Sequence, residues 1–304
     1  MSAQPVSSTG SAATPWRAWL RIARLCFTPL SLLLMTWLVW RSWAVIGTIL
    51  HDADWSLLLP AALLWLLTNL LAALTATRMF KSIGLRMGFL ACLRIHCRRL
   101  PAKYLPGGIW HSVGRASDYL VRGHDSRSIG VYFVIENVIL VGVTLTLGAS
   151  LVTRLVAPGM LQLLLTWLPV LSLLGLLGFP LAVQVLTRQQ TRLHMTVYLS
   201  AILGMLGYWC LAGFSFALWI AAFPALELQV GSLETAGVYI FSWCMGYLAL
   251  FAPQGIGVAE FVSGYLLAGK DATRLLGFLV SFRLLVLAAD LAAWALSLLM
   301  RDDL

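Results

Sequence analysis

The stretch Lys103-Tyr104-Leu105-Pro106-Gly107-Gly108-Ile109-Trp110-His111-Ser112-Val113-Gly114-Arg115 is polar and helix-breaking in a chain that is 60% hydrophobic. Its pattern Pro-x-Gly-Ile returns 147 residues later, in Phe251-Ala252-Pro253-Gln254-Gly255-Ile256-Gly257-Val258-Ala259-Glu260. Charge keeps the same offset. Glu136 follows Pro106 by 30 residues and Arg283 follows Pro253 by 30, each a strong charge well inside a long apolar segment. Ionisable groups at membrane depth are costly and mark function by default. The two halves therefore read as a tandem repeat, with Glu136 and Arg283 expected to meet across its axis.

The composition sets the solvent. With 11% charged residues, 13 Trp and a mean hydropathy of +0.88, the chain has more apolar surface than a water-soluble fold of 304 residues covers. In lipid every backbone polar group must be satisfied internally, so spans are helices and broken backbone is tolerated only inside protein or a wet cavity. The net charge of +9 reports topology and contact with anionic headgroups, and nucleic acid is not an expected partner. Cys26, Cys92, Cys97, Cys210 and Cys244 form no Cys-x-x-Cys pair and read as buried thiols. His96 beside Cys97 matches no zinc spacing, and Arg94, Arg98 and Arg99 repel a cation there, so neither metal nor cofactor is expected.

About twenty apolar residues cross the hydrocarbon core. Six segments qualify, near 25–48, 56–77, 128–153, 162–186, 197–223 and 274–300. Residues 1–15 read as a disordered tail, 16–300 as one transmembrane domain and 301–304 as a short tail; the first apolar run reads as an uncleaved anchor. The offset aligns repeat one, about 20–155, with repeat two, about 160–300. Each half then contains two spans, a broken re-entrant helix pair and a third span. Three crossings per half invert the second half. The expected fold is an all-α polytopic membrane protein of about six transmembrane helices with two re-entrant pairs. On hydropathy alone 233–251 also fits a full span. With both termini cytoplasmic, only Arg41, Arg154, Lys270 and Arg274 of the 21 Lys and Arg lie outside and Arg283 lies within the membrane, as the positive-inside rule requires.

The tracts Tyr104-Leu105-Pro106-Gly107 and Pro253-Gln254-Gly255-Ile256-Gly257-Val258-Ala259-Glu260, with Glu136 and Phe282-Arg283, resemble the transmembrane, flippase-like domain of lysylphosphatidylglycerol synthetases and related stand-alone membrane proteins. The family's second tract usually reads Pro-Gly-Gly-Leu-Gly-Val followed by a basic residue and Glu, from which Gln254 and Ala259 depart. The family's soluble aminoacyl-transferring domain has no counterpart in these residues. The resemblance therefore implies lipid handling in the cytoplasmic membrane, beside a glycosyltransferase in some relatives, and not lysyl transfer.

Pro106, Gly107, Gly108, His111, Arg115, Glu136, Pro253, Gln254, Gly255, Glu260 and Arg283 are the candidate substrate-binding residues; no catalytic residue is assigned. A helix starting after Gly107-Gly108 aims unpaired N–H groups and its positive dipole end at a phosphate, and His111 and Arg115 share a face at i and i+4. The same glycines also suit close helix packing. Arg94, Arg98, Arg99 and Lys103 read as a solvated, headgroup-touching face. Asn69, Asn137 and Asp290 read as interhelical hydrogen-bonding residues, and Trp37, Trp40, Trp43 and Trp55 as interfacial anchors. The expected activity is translocation of an anionic phospholipid or lipid-linked sugar phosphate. The rivals are a membrane-embedded transferase or phosphatase using His111 or Glu260, and a scaffold for a neighbouring membrane glycosyltransferase.

Overall fold

The computed structural model describes residues 40, 51, 53–105, 109–186, 193–223, 230–249, 255, 257–267 and 272–300, with backbone alone for 272–280. These residues are all helical: α1 (Trp55–Ser82), α2 (Phe89–Arg99), a 3-10 turn (Leu100–Tyr104), α3 (Trp110–Val121), α4 (Ser126–Val152), α5 (Met160–Leu186), α6 (Met195–Ala221), α7 (Ser232–Leu248), α8 (Val258–Leu266) and α9 (Ala272–Leu298). Five are long and apolar enough to cross a membrane: α1, α4 with the short turn after it, α5, α6 and the part of α9 from Ser281 to Leu298. They coincide with five of the six expected spans; the sixth, 25–48, lies outside the described residues. So do Pro106, Gly107, Gly108, Pro253 and Gln254 of the two breaks.

Helix starts follow local chemistry. The Asp54 carboxylate accepts from the Ser56 N–H at 2.9 Å and the Asp125 carboxylate from the Ser128 N–H at 2.9 Å, each satisfying a first-turn donor of the span that follows. Hydrogen bonds from the Ser128 hydroxyl and then from its N–H hold the Asp125 carboxyl below its ordinary range. Beyond the caps the spans are apolar all round, as lipid-immersed helices are. α5 is the extreme case. Leu163, Leu164, Leu171, Leu174 and Leu181 are exposed, and only Leu165, Leu176 and Pro180 are buried.

The central pair is α1 against α6, antiparallel and joined at both ends. The Asp54 N–H donates to the Ala222 carbonyl at 2.8 Å, and the His194 N–H donates to the Ser82 carbonyl at 3.0 Å. Between them the Ser215 hydroxyl donates to the Ala61 carbonyl at 2.8 Å. Without a hydrophobic driving force between helices, membrane packing relies on small residues that let backbones approach. A Cβ at Gly148 of α4 would lie 2.8 Å from the Phe241 backbone nitrogen of α7. Trp65, Phe216, Tyr239 and Phe282 then lock α1, α6, α7 and α9 together, with ring centroids 5.0 to 6.1 Å apart.

Contacts along α9 fix its direction. Phe282 packs on Phe216 and Trp219 near the end of α6, Asp290 meets Trp65, and Ala293 joins Leu66, Cys97 and Leu100. Thus α9 runs in the same sense as α1. The short helices reach only part-way along the spans. α7 starts where Gly237 abuts Leu151, near the end of α4, and ends where the Tyr247 hydroxyl donates to Asn137, midway along it. α8 follows after Gly255, where the φ of +67° disfavours a side chain and a Cβ would lie 2.6 Å from the Gly246 Cα. From the opposite end, α2 carries His96 to Asn69 near the middle of α1, and α3 returns to lay Tyr119 on Phe80.

The packing argument is testable at one glycine. Gly148→Ala should destabilise the detergent-purified protein by about 1–3 kcal/mol through overpacking. Gly130→Ala, on the same helix with open space beside it, should be neutral or slightly stabilising. Thermal denaturation of both variants reads the difference.

Candidate functional site

Charged side chains in the interior form a chain of pairs. Arg115 of α3, 6% exposed, donates through Nη1 and Nη2 to the two Glu136 oxygens of α4, both at 2.7 Å. The Tyr132 hydroxyl donates to the same carboxylate at 3.0 Å, and the guanidinium lies 5.2 Å from the Phe133 ring. A bidentate fork is the strongest geometry for such a pair. In the second half, the Arg283 Nη2 of α9 lies 2.5 Å from the Glu260 Oε1 of α8. The other Glu260 oxygen accepts from the Gly257 N–H at 2.8 Å and so caps its own helix.

This corrects the expected pairing. Glu136 and Arg283 each bind a charge on the short helix preceding their own span, Arg115 and Glu260 respectively, and not each other. Two charges on adjoining elements neutralise at once; meeting across the bundle was unnecessary. Asn137 and Asp290, on the same two long helices, have partners of their own. Asn137 receives the Tyr247 hydroxyl. Asp290 accepts from Trp65 Nε1 at 3.2 Å and from the Tyr104 hydroxyl at 2.6 Å, and forms an ion pair with Lys103. Asn69, Asn137 and Asp290 thus bridge helices, as their polarity in apolar segments implied.

The basic run is also corrected. Arg94 is buried at 5% exposure, Arg99 donates twice to Asp118 at 2.6 Å, and Lys103 is held by Asp290. A guanidinium drawn into the protein needs a carboxylate, and Asp118 supplies it. Asp118 was legible as one of only two acids between 79 and 127, yet its partner depended on how α2 and α3 fold back on each other. His111 sits edge-on to His96, ring centroids 5.3 Å apart, and a His96 ring nitrogen lies 3.2 Å from Asn69 Oδ1. Burial, with Arg115 and then Lys103 adding repulsion, lowers the His96 imidazole to about 3. Both rings are therefore neutral at pH 7, His111 for the same reason.

Of the candidate residues, the structure brings Arg115 to Glu136 and Glu260 to Arg283, and sets His111 beside His96 on the first cluster. Gly255 is buried at the turn before α8. No group of three metal-ligating side chains occurs among the described residues. Cys92, Cys97 and Cys244 are buried free thiols, and Cys210 is half-buried.

No protein-family model matches the chain, and no curated protein matches it.

Double-mutant cycles separate the pairings. Arg115→Met and Glu136→Gln should each cost about 3–5 kcal/mol, and their double mutant should recover part of that loss. Glu260→Gln with Arg283→Met should couple more weakly, since the Arg283 side chain is 35% exposed. Glu136→Gln with Arg283→Met should be additive, and coupling between those two would reinstate the direct contact.

Histidine burial has a pH signature. The folded imidazole of His96 lies below its unfolded value of about 6.5, so below that pH the unfolded chain binds more protons and stability falls until the folded value is reached. One such histidine removes about 2 kcal/mol between pH 6.5 and 5. Melting temperatures should drop over that window, and His96→Gln should flatten the drop.

Proposed function

We propose that this chain is a flippase-like translocator of an anionic phospholipid or lipid-linked sugar phosphate, built as an inverted repeat with two re-entrant helix pairs. One observation carries the reading. Each half sets a charge on the short helix after its break against the opposite charge on the next long helix, and the signs are exchanged: Arg115 with Glu136, Glu260 with Arg283. Supporting it, α2 reaches midway along α1 from one end of the bundle, and α7 reaches midway along α4 from the other, with α8 packed on α7. Opposed half-length elements around a midplane charge cluster are the layout of alternating access.

In this reading a headgroup phosphate competes with a carboxylate for a guanidinium. Arg283 is the group to yield, being 35% exposed and held at one nitrogen while Glu260 also caps a helix; Arg115 is buried and held by two. The lipid exchanges one ion pair for another, and the charge never stands alone in the hydrocarbon. With both termini on the cytoplasmic side, the end bearing Lys81, Arg86 and Arg122 faces the anionic inner leaflet. The transferase or phosphatase alternative has less support, because Glu260 is committed to Gly257 and Arg283.

Liposomes of purified protein and headgroup-labelled phosphatidylglycerol test the proposal. Label should become accessible to a membrane-impermeant quencher faster than in protein-free vesicles, with the lipid chemically unchanged. Arg283→Met should slow the exchange at least tenfold while the protein still inserts. A new lipid product would point to an enzyme, and neither movement nor product to a scaffold.

A further inference from the structure

A cleft of about 660 Å³ opens at the basic end of the bundle, where the turn after α1 meets the start of α6. Its lining includes Lys81, Arg86 and His194, with Gly84, Met87 and Gly88. The volume falls within the range of small-molecule sites. The charges are unlike those of the interior. Arg99, Lys103, Arg115 and Arg283 each have a carboxylate partner. Lys81, Arg86 and His194 are exposed and have no ion-pair partner among the described residues.

Backbone donors converge on the same place. α2 starts after Gly88 and α6 after His194, and neither helix has a side-chain cap on its first turn. First-turn N–H groups without a side-chain cap and two positive dipole ends therefore border a cleft whose cations have no ion-pair partner among the described residues. A carboxylate would have served had this been only a structural junction, as Asp118 and Asp290 serve nearby.

We propose that this cleft binds a phosphate-bearing anion, with Lys81 and Arg86 on the phosphate oxygens and the two helix starts beneath it. The site is separate from the paired charges at mid-depth and does not rest on transport. Two sources share the chemistry, the headgroup of an anionic lipid in the facing leaflet and a soluble phosphate or pyrophosphate.

The test uses the full chain in nanodiscs. Native mass spectrometry counts retained phosphatidylglycerol in mixed phosphatidylglycerol–phosphatidylcholine discs, and calorimetry measures pyrophosphate binding in discs of phosphatidylcholine alone. Saturable retention in the first arm identifies a lipid headgroup, and saturable heat in the second a soluble anion. Lys81→Gln and Arg86→Gln should each weaken whichever binding is seen about fivefold, the equivalent of about 1 kcal/mol per surface cation. Arg154→Gln, an exposed charge near the opposite end of α4, should change nothing. Gly88→Trp distinguishes a built site from diffuse surface charge: Gly88 has φ −69° and a Cβ there meets nothing within 4 Å, so the chain folds while the cleft fills. Loss of binding in Gly88→Trp supports the site. Binding unaffected by Gly88→Trp, equal losses in Arg154→Gln, or no saturable binding in either arm overturns it.

Discussion

A charge in hydrocarbon must be neutralised locally or not be there, and the interior follows from that requirement. Burying a lone charge in a helix centre costs at least about 2.5–3.5 kcal/mol, whereas a pair with its remaining lone pairs satisfied roughly breaks even. Arg115, Glu136 and Tyr132 form such a set, in which both terminal guanidinium nitrogens are paired and the buried Arg115 Nε has no hydrogen-bond partner among the described residues. So do Lys103, Asp290, Trp65 and Tyr104, which fasten the turn before the first break to α9 and α1. The short helices are held where they are because their charges have no other place to go. Stability and the position of the polar cluster are thus one constraint.

Span periodicity and hydropathy were legible in the sequence because lipid imposes them residue by residue: a run such as 160–186 has no other solution than a helix. The charged positions that matter were also legible, since Glu136 and Arg283 stand out against apolar neighbours. Partner choice was not. The 147-residue offset set Glu136 against Arg283 and suggested that they meet, but a shared offset does not imply contact. Each found the opposite charge about twenty residues back, on a helix that folds against its own span. Arg94 and Arg99 were misread for a related reason. A basic run is solvated only if its helix lies at the surface, and α2 instead packs between α1, α3 and α9.

The exchange of sign between halves has its own logic. Were both short helices to carry the cation, two guanidiniums and two carboxylates would occupy the same relative positions, and each half would present the same polarity to a ligand. With Arg115 on one short helix and Glu260 on the other, the long helices α4 and α9 carry opposite charges. The four charges of the two pairs sum to zero.

The double fastening of α1 to α6 divides the molecule into parts that differ in freedom. With backbone hydrogen bonds at Asp54–Ala222 and Ser82–His194 closing the pair at top and bottom, neither helix slides or tilts against the other without losing one of them. The pair behaves as a stator. Among the described residues the other helices meet this pair through side chains, so relative displacement costs least between the short helices and the pair.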